Sequence, residues 1–356
     1  MKKLLLLALL LVAGTALYVG LSPSPVDPEA YSPPPAPALS GVLSPNQELT
    51  KARLLAPGRL KGPEDVAPGP DGWLYTGQVD GSVVRVHPDG RLEPFAQTGG
   101  RPLGLMFDAA GKLIVCDADK GLLALDKSGQ AKVLTREAEG RAFGFTDDLD
   151  IASDGKIYFS DASWKFGKDQ YLYDLLEHRP HGRLMVYDPA SGETRVLLEG
   201  LYFANGVALS QNEDYVLVNE TYAYRIRRYW LKGPREGQND VFLDNLPGFP
   251  DNISANRQGR FWLALFTVRN PAVDALHPHP WAKSLLARLP HFLWPQPAPY
   301  GLVLALDEGG RVQEGLHDPE GKNLKIITSA REHQGRLYLG SLLGNAIGEY
   351  TLPPRP

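Results

Sequence analysis

Residues 71–77 read DGWLYTG and are followed, after four residues, by SVVRV at residues 82–86. A turn that ends in Gly leads into one short strand, and a second strand rich in β-branched residues follows it, which is the pattern of a β-hairpin. Five more copies of this pattern follow along the chain, although the fourth of the six lacks the leading Gly. They are GKLIV and GLLAL (111–115, 121–125), DGKIYF and GRLMVY (154–159, 182–187), DYVLV and YRIRRY (214–218, 224–229), GRFWLA and LVLAL (259–264, 302–306), and GRLYLG and AIGEY (335–340, 346–350).

The spacing of the six copies predicts the architecture. They cover about 300 residues, or roughly 50 residues per unit, which is the length of one four-stranded blade of a β-propeller. Apolar segments before the hairpins, such as residues 102–107 and 205–209, supply the inner strands. A row of separate β-sandwich domains is the alternative, but no linker-like break interrupts the copies. The sequence therefore predicts an all-β fold, a six-bladed β-propeller over residues 51–356.

Composition and charge agree with short strands joined by tight turns. The chain of 356 residues holds 37 Gly and 31 Pro, which recur along its length at turn-like places. Its formal net charge is −4 and it has no basic block beyond Lys2 and Lys3, so we expect no nucleic-acid binding. The single cysteine, Cys116, excludes an internal disulfide framework and a Cys-rich zinc site.

The N-terminus has the pattern of an export signal. Lys2 and Lys3 precede an uncharged, mostly apolar run over residues 4–21, close to the roughly 17–25 residues that a transmembrane helix needs. Two lysines before the run predict a cytoplasmic N-terminus and an extracytoplasmic (periplasmic or extracellular) domain. We therefore predict a signal anchor over residues 1–21 that attaches the protein to the membrane. The alternative is a signal peptide cleaved near residues 14–16, which would leave a secreted protein.

Three further segments surround the repeat. Residues 22–50 are Pro-rich, with YSPPPAP at 31–37, and predict an extended linker between membrane and domain. Residues 164–181 interrupt the third copy, and residues 272–293, with helical character, interrupt the fifth. Long inserts in a compact repeat often form lids or binding loops. Their aromatic residues would favour an apolar or aromatic substrate if they line the pocket mouth; lid packing or membrane contact is the alternative. They are Trp164, Phe166, Tyr171, Tyr173, Trp281, Phe292 and, just beyond, Trp294.

Four polar motifs occupy the same place in the repeat, where the inner strands of a propeller begin. They are GPED (62–65), FTDDLD (145–150), FANGV (203–207) and GFPDNI (248–253). These strand starts converge on the propeller axis, so we expect one cluster of oxygen donors there. Such donors, without sulfur or imidazole, suit a hard cation and favour Ca²⁺ over Mg²⁺ or Zn²⁺. An Asx turn explains any single motif, but the shared position favours a metal site. The predicted ligands are Glu64, Asp147, Asn205, Asp251 and Asn252.

The same motifs resemble those of a known family. GPE (62–64), DDL (147–149), FANGV (203–207) and GFPDN (248–252) are similar to the strictosidine-synthase-like branch of the calcium-dependent phosphotriesterase superfamily, which includes gluconolactonase and paraoxonase. The resemblance covers the chain from about residue 50 onward. It implies that Glu64, Asn205 and Asp251 hold calcium, with Asn252 and Asp147 as further candidates. Position 147 departs from the family pattern, in which Asn usually precedes the Asp.

The oxygen donors and the resemblance together predict a calcium-dependent hydrolase that acts on a small-molecule lactone or aryl ester. Ca²⁺ would polarise the substrate carbonyl. Asp251 or Glu64, each in part a ligand, would act as general base toward the attacking water. No Gly-x-Ser-x-Gly motif occurs, so a serine nucleophile is not expected.

Two other functions stay open at this point. Residues 331–335 (REHQG) resemble the segment that carries the catalytic glutamate of strictosidine synthase, so Glu332 would support condensation of an amine with an aldehyde. His333 is a candidate base in the same segment, although a lone His or Glu at a strand start is more often structural. A non-catalytic binding propeller with structural calcium would show the same ligands.

Overall fold

The computed structural model describes residues 22–354, together with Gly14 and Gly20. Six four-stranded antiparallel sheets form the blades of a propeller. The first blade contains β2 (Ala67–Pro68), β3 (Leu74–Gly77), β4 (Ser82–Val86) and β5 (Leu92–Gln97), and the second contains β6 (Pro102–Phe107), β7 (Leu113–Asp117), β8 (Gly121–Leu125) and β9 (Ala131–Thr135). The third contains β12 (Thr146–Ile151), β13 (Ile157–Asp161), β14 (Gly182–Asp188) and β15 (Glu193–Leu201), and the fourth contains β16 (Ala204–Leu209), β17 (Tyr215–Glu220), β18 (Arg225–Trp230) and β19 (Asn239–Leu243). The fifth contains β20 (Gly248–Ala255), β21 (Arg260–Val268), β22 (Gly301–Asp307) and β23 (Val312–Asp318), and the sixth contains β24 (Ile327–His333), β25 (Arg336–Ser341), β26 (Ile347–Thr351) and β1 (Arg53–Leu55). A two-stranded ribbon, β10 (Glu137–Ala138) and β11 (Arg141–Ala142), lies between the second and third blades in sequence.

The predicted six-bladed propeller is confirmed. The first strands of successive blades contact one another from β2 through β6, β12, β16 and β20 to β24, so these strands form the inner wall of the ring. The segment predicted at residues 102–107 is β6, and residues 205–209 lie within β16. Each predicted hairpin supplies the second and third strands of its blade.

The last blade closes the ring with a strand from the other end of the chain. β1 pairs antiparallel with β26, with Arg53 opposite Glu349 and Leu55 opposite Ile347. The Nε of Arg53 also donates a hydrogen bond to Glu349 Oε2 at 2.6 Å. Just before β1, Leu49 is fully buried among apolar residues of the fifth and sixth blades. The N-terminal strand is therefore part of the domain's core.

Apolar packing between blades holds the ring together. Strands β7, β17 and β22 are buried along almost their whole length, because each is covered by a neighbouring blade on both faces. Between the fifth and sixth blades, Trp262 and Val303 pack with Leu339 and are fully buried. Burial of one large apolar side chain is worth about 1.5–3 kcal/mol, so these interfaces are the main stabilising contribution.

One glycine sets how closely two inner strands approach. A Cβ at Gly206 in β16 would lie 2.4 Å from the backbone nitrogen of Ile253 and 2.5 Å from the carbonyl oxygen of Asp251 in β20. Real side chains do not tolerate such contacts with backbone atoms. The Gly of the FANGV motif therefore permits the close approach that brings Asn205 beside Asp251.

Both insertions fold over one end of the propeller, and we call them the lid (residues 164–181 and 271–296). The predicted helical character of the second insertion is confirmed by α2 (Pro271–Leu276) and α3 (Pro280–Leu286). Pro at the first helical position begins both helices, and the side chain of Asn270 caps α2 by accepting from the Ala272 N–H at 2.9 Å. The first insertion contains α1 (Tyr171–Glu177), which was not predicted and which packs against α3.

The Pro-rich segment lies against the propeller. Residues 22–40 have no helix or strand, and we call them the strap, whereas the rest of the linker predicted over residues 22–50 contains short 3-10 helices at Gly41–Leu43 and Glu48–Lys51. Tyr31 of the strap stacks on His178 with ring centroids 4.0 Å apart, and Val26 is buried in the lid core. The predicted anchor over residues 1–21 lies outside the described residues apart from its two glycines. Within the described part of the chain, no helix has the length and apolar character needed to cross a membrane.

Candidate functional site

Six side chains, one from each blade, line a single cavity of about 460 Å³. Each lies at or just before the start of an inner strand, so the cavity is on the propeller axis. We call these six positions the cavity ring. They are Glu64, Leu103, Asp147, Asn205, Asp251 and Thr328.

Irregular strand pairing turns these side chains toward the axis. The register of β12 against β13 shifts between Thr146 and Leu149, and that of β16 against β17 shifts between Ala204 and Val207. Similar shifts occur near the starts of β6, β20 and β24. A bulge bends a strand and re-aims its side chains, and bulges are common beside functional sites. The polar residues therefore reach the cavity from strands that are otherwise apolar.

Four of the five predicted ligands line this cavity, and the fifth supports one of them. Asn252 does not line the cavity, but its Nδ2 donates to Glu64 Oε1 at 2.9 Å. The side chain of Asn205 hydrogen-bonds to that of Asp251. All five side chains are buried, with exposed fractions of 3–7%. The structure thus brings together residues that are up to 188 positions apart in the chain, while their binding of an ion stays a prediction.

The acidic members of the cavity ring repel one another. Burial, followed by the charges of Asp251 and Asp147, raises the pKa of Glu64 well above its usual range. Burial and the charge of Asp251 likewise raise the pKa of Asp147, and burial raises that of Asp251 to about 8. Three carboxylic groups in one desolvated place favour protonation unless a positive charge joins them.

The donor set fits a hard cation. Glu64 Oε2, Asn205 Oδ1 and Asn252 Oδ1 are buried and have no hydrogen-bond partner among the described residues. Buried oxygens of this kind are costly unless something binds them. Over residues 22–354, no three His, Cys, Asp or Glu side chains group closely enough to form a metal site by themselves. A calcium site here would therefore also need the amide oxygens, which Ca²⁺ accepts readily.

Side chains from neighbouring strands fix the backbone beneath these ligands. Thr221 Oγ1 donates to the carbonyl oxygen of Pro250 at 2.7 Å, and Asn219 Nδ2 donates to that of Asp251. Thr328 Oγ1 donates to the carbonyl oxygen of Glu64 at 2.6 Å. Sequence reasoning missed these three residues. Thr328 was detectable, because it holds the same place in the sixth blade as the predicted ligands do in theirs.

Arg101 also lines the cavity and was not predicted. It precedes the second inner strand, its exposed fraction is 5%, and its Nη2 donates to the Gly62 carbonyl oxygen at 2.9 Å. Its Nη1 is buried without a partner in the described part of the chain. Burial lowers the pKa of Arg101 despite the nearby charges of Glu64 and Asp117. One cation of the chain itself thus lies beside the acidic cluster.

A second set of charges lies further along the same inner strands, and we call it the inner ring. Each of its three carboxylates accepts a hydrogen bond from a backbone N–H in the inner strand of the following blade, at 2.8–3.1 Å. The pairs are Asp65 with Leu105, Asp148 with Val207, and Asp150 with Leu209. Two arginines complete it. Arg331 Nη2 lies 3.1 Å from Asp65 Oδ2, and Arg257 Nη2 lies 2.7 Å from Asp150 Oδ1. The inner ring thus links neighbouring blades and contains its own counter-charges.

Most of the cavity wall is apolar. Phe145, Phe203 and Phe249 come from the blades, and Leu172 and Leu175 come from the lid. Of the seven aromatic residues predicted near the mouth, two line the cavity, Tyr171 and Trp294.

The other five aromatics of the lid do not line the cavity. Phe166 is buried in the lid core, and Tyr173 packs against Trp294. Trp164, Trp281 and Phe292 are exposed. Of the seven lid aromatics, two therefore line the cavity, two pack inside the lid and three are exposed on its surface.

Glu332 and His333 lie elsewhere. Glu332 Oε2 accepts hydrogen bonds from Trp262 Nε1 at 2.7 Å and from Asn256 Nδ2 at 3.1 Å, and the residue does not line the cavity. His333 is exposed at the far end of β24. This placement gives the predicted condensation alternative no residue at the site.

Comparisons with known proteins agree with the fold. The family model described as strictosidine synthase matches residues 147–234, and the model described as strictosidine synthase-like, N-terminal, matches residues 41–86. Adipocyte plasma membrane-associated protein of Rattus norvegicus is 38% identical over 353 residues, which cover 92% of this chain and 93% of the relative.

Two solved structures share the propeller at low identity. A gluconolactonase from Xanthomonas campestris superposes with a TM-score of 0.64 at 20% identity, covering 94% of this chain and 99% of that chain. The calcium-binding protein regucalcin from Agrobacterium tumefaciens gives a TM-score of 0.60 at 16% identity, covering 85% and 93% of the two chains. At these identities the likeness concerns the fold.

Proposed function

The chain belongs to the strictosidine synthase-like family that includes adipocyte plasma membrane-associated protein, and we propose that it is a calcium-dependent hydrolase of lactones or aryl esters. One observation carries this proposal. Buried carboxylate and amide oxygens, several of them without a partner in the described chain, meet at the base of a largely apolar cavity. A polar, charged base under apolar walls is typical of a site that orients one reactive group of an apolar small molecule.

Glu64, Asp147, Asn205 and Asp251 would hold the ion, with Asn252 as a further ligand or as the support of Glu64. Bound calcium would supply Lewis acidity toward the carbonyl oxygen of the substrate. The hydrogen bond from Asn252 directs Glu64 Oε1, while Oε2 stays available. A carboxylate of Asp251 or Glu64 would accept the proton of the attacking water. Arg101 would place its free Nη1 beside the carboxylate that hydrolysis produces.

The cavity wall restricts the substrate class. Phenylalanine and leucine side chains surround the approach to the cavity ring. A sugar lactone would leave its hydroxyl groups without partners against such a wall, which is costly. We therefore propose an apolar or aromatic acyl substrate.

The location is part of the same proposal. Residues 1–21 have the sequence pattern of a signal anchor, and the relatives are named as plasma membrane-associated proteins. We propose that the propeller is extracytoplasmic and attached to a membrane.

Purified full-length protein should hydrolyse at least one member of a panel of lactones and aryl esters when calcium is present, and should lose this activity with a chelator. Circular dichroism measured in parallel should show that the fold survives chelation. Glu308→Gln, which alters a carboxylate outside the cavity, is the matched control for Asp251→Asn. A protein that unfolds on chelation and hydrolyses nothing at any calcium concentration would instead be a binding propeller with structural calcium.

A further inference from the structure

The outer surface of the lid exposes large apolar side chains. Trp281 and Phe292 have exposed fractions of 72% and 78%, and Leu285 and Leu293 have 42% and 54%. Trp281 and Leu285 are four residues apart in α3, so they lie on the same face of the helix. Single exposed apolar residues are ordinary, but four within residues 281–293 form a patch that calls for a partner.

This patch adjoins the cavity through a shared wall. Leu285 and Leu293 line a shallow depression on the outside of the lid. Leu276, Leu286 and Pro295 line both that depression and the cavity. A thin apolar layer of the lid therefore separates the outer patch from the interior.

The rim of the cavity continues the apolar surface. Val79 and Leu343 line the cavity and yet have exposed fractions of 52% and 66%. These two side chains add exposed apolar surface at the opening, on which the charged side chains of Lys168 and Asp169 also lie. A water-soluble substrate would gain nothing from this surface.

The charge of the patch fits a lipid surface. No Asp or Glu occurs between Asp274 and Asp307, a stretch that contains Lys283 and Arg288. Lys283 is buried, and the exposed residues of α3, Trp281 and Leu285, are both apolar. This stretch brings no carboxylate that anionic headgroups would repel, and exposed Trp is favoured at the membrane interface. The exposed carboxylates near the lid, Asp27, Glu29 and Asp169, belong to the strap and the first insertion.

The strap brings the predicted anchor to the same place. The Glu29 N–H donates to the carbonyl oxygen of Glu177 at the end of α1 (2.9 Å), and the Tyr31 N–H donates to that of His277 just after α2 (3.0 Å). Lys283 of α3 donates to the Glu29 carbonyl oxygen. Position 21 lies five positions before Val26, which is buried in the lid core, and an extended chain of that length spans roughly 18 Å at most. A membrane anchor over residues 1–21 would therefore end close to the lid.

We infer that the lid patch formed by Trp281, Leu285, Phe292 and Leu293 is a membrane-contact surface that places the cavity opening at the lipid interface. The partner is the bilayer that the anchor would occupy. The consequence for substrate rests on the proposed function. The site would take its lactone or ester from the lipid phase, across the apolar rim.

Spin labelling of the full-length chain in vesicles tests the contact surface. The native Cys116 is fully buried, so a nitroxide can be directed to Phe292→Cys or, as the matched control, to Val241→Cys. Val241 is an exposed apolar residue (43%) on the outer strand β19. In vesicles of phosphatidylcholine and phosphatidylglycerol (7:3), collisions with oxygen relative to a water-soluble nickel chelate should be severalfold more frequent at position 292 than at 241. Equal, water-like values at both positions would overturn the inference. So would a label at 292 that becomes shielded in detergent solution as protein concentration rises, because that indicates a second copy.

Paired substrates test entry from the lipid. Trp281→Ser/Phe292→Ser should slow hydrolysis of a long-chain aryl ester embedded in the same vesicles severalfold, while a short, water-soluble aryl ester is hydrolysed as before. Equal loss on both substrates would overturn lipid-phase entry. If the unsubstituted protein hydrolyses neither ester, the proposed function fails and the labelling result alone decides the contact surface.

Discussion

The cavity ring and the inner ring are made from neighbouring residues of the same strands, yet their charges are balanced in different ways. In the inner ring, the guanidinium groups of Arg331 and Arg257 lie against Asp65 and Asp150. In the cavity ring, three carboxylic groups share one place and the nearest cation, Arg101, donates to a backbone carbonyl. One ring contains arginine counter-charges, and the other would need a cation from outside to balance its three carboxylates.

The causes of the pKa shifts, rather than their direction, differ between the two rings. Although burial favours its neutral form, the carboxylates of Asp65, Asp148 and Asp150 raise the pKa of Arg331 above its usual value. Burial raises the pKa of carboxyl groups in both rings, but in the inner ring Arg331 and Arg257 act against burial at Asp148 and Asp150, whereas in the cavity ring the charges of Asp251 and Asp147 add to burial at Glu64. Carboxylates of the inner ring therefore stabilise the fold through arginine partners, whereas those of the cavity ring form a candidate ion site. Four experiments can break or sharpen this contrast.

The largest effect is expected in the inner ring. Arg331→Met would leave Asp65 buried without its counter-charge, which costs about 3–5 kcal/mol of unfolding free energy. Urea unfolding should show the same loss with and without calcium. The double variant Asp65→Asn/Arg331→Met should recover a substantial part of it. A loss confined to calcium-containing buffer would show that the two rings are not independent.

Asp251→Asn should act on chemistry instead. Removing one carboxylate from the cavity ring should lower hydrolysis roughly 100-fold or more, since it weakens both the ion site and a candidate base. The urea midpoint in calcium-free buffer should not fall, because a mutually repelling charge has been removed. Steady-state kinetics at saturating calcium provide the measurement, with Glu308→Gln as control. Full activity in Asp251→Asn would remove this residue from the site.

Asp147→Asn should produce two smaller changes of opposite sign, which are higher stability without calcium and weaker binding of calcium. The variant should raise the calcium-free melting temperature by a few degrees, because burial and repulsion penalise the third carboxyl group. Its calcium affinity should fall about tenfold, since the site loses one negative charge. Calorimetry and isothermal titration test the two effects separately. A lower calcium-free melting temperature would contradict the assignment of this residue to a repelling cluster.

The smallest effect concerns Glu177, a lid carboxylate that, like the inner ring, has partners from its own chain. Burial opposes its ionisation, but contacts from His181 and Lys165 and the Asp27 N–H outweigh burial and lower its pKa to about 2. A lowered folded-state pKa means that the stabilisation is complete above about 4.5 and is lost as the pH falls from there toward 2. Hydrogen exchange of the strap should rise over this range and lose its pH dependence in Glu177→Gln. An unchanged pH profile in the variant would assign the acid sensitivity to another group.

The sequence was sufficient for the blade count and for the main members of the cavity ring. Because inner strands of a propeller converge, residues at one phase of the repeat must meet, and Glu64, Asp147, Asn205 and Asp251 do so. Thr328 holds the same phase in the sixth blade, so the same reasoning could have included it. In the second blade this place belongs to Leu103, and Arg101 lies two residues earlier.

The rest depended on side-chain directions that the sequence does not specify. Residues 331–335 were interpreted through Glu332, but neighbouring side chains of a strand point to opposite faces. Arg331 therefore points to Asp65 in the inner ring, while Glu332 points to Trp262. The strap contacts were also out of reach, since Pro-rich composition predicts extension and does not specify where the segment binds.

The pairing of β1 with β26 also affects how the protein can be made. Residues 53–55 leave the ribosome long before their partners at 347–349 are synthesised. Until then the first and last blades have no shared edge, and the nascent chain is an open arc with an unpaired strand at its end. Loss of residues 347–351 would therefore disrupt the whole circle, whereas a break in an exposed loop such as the turn at residues 233–237 would leave it closed.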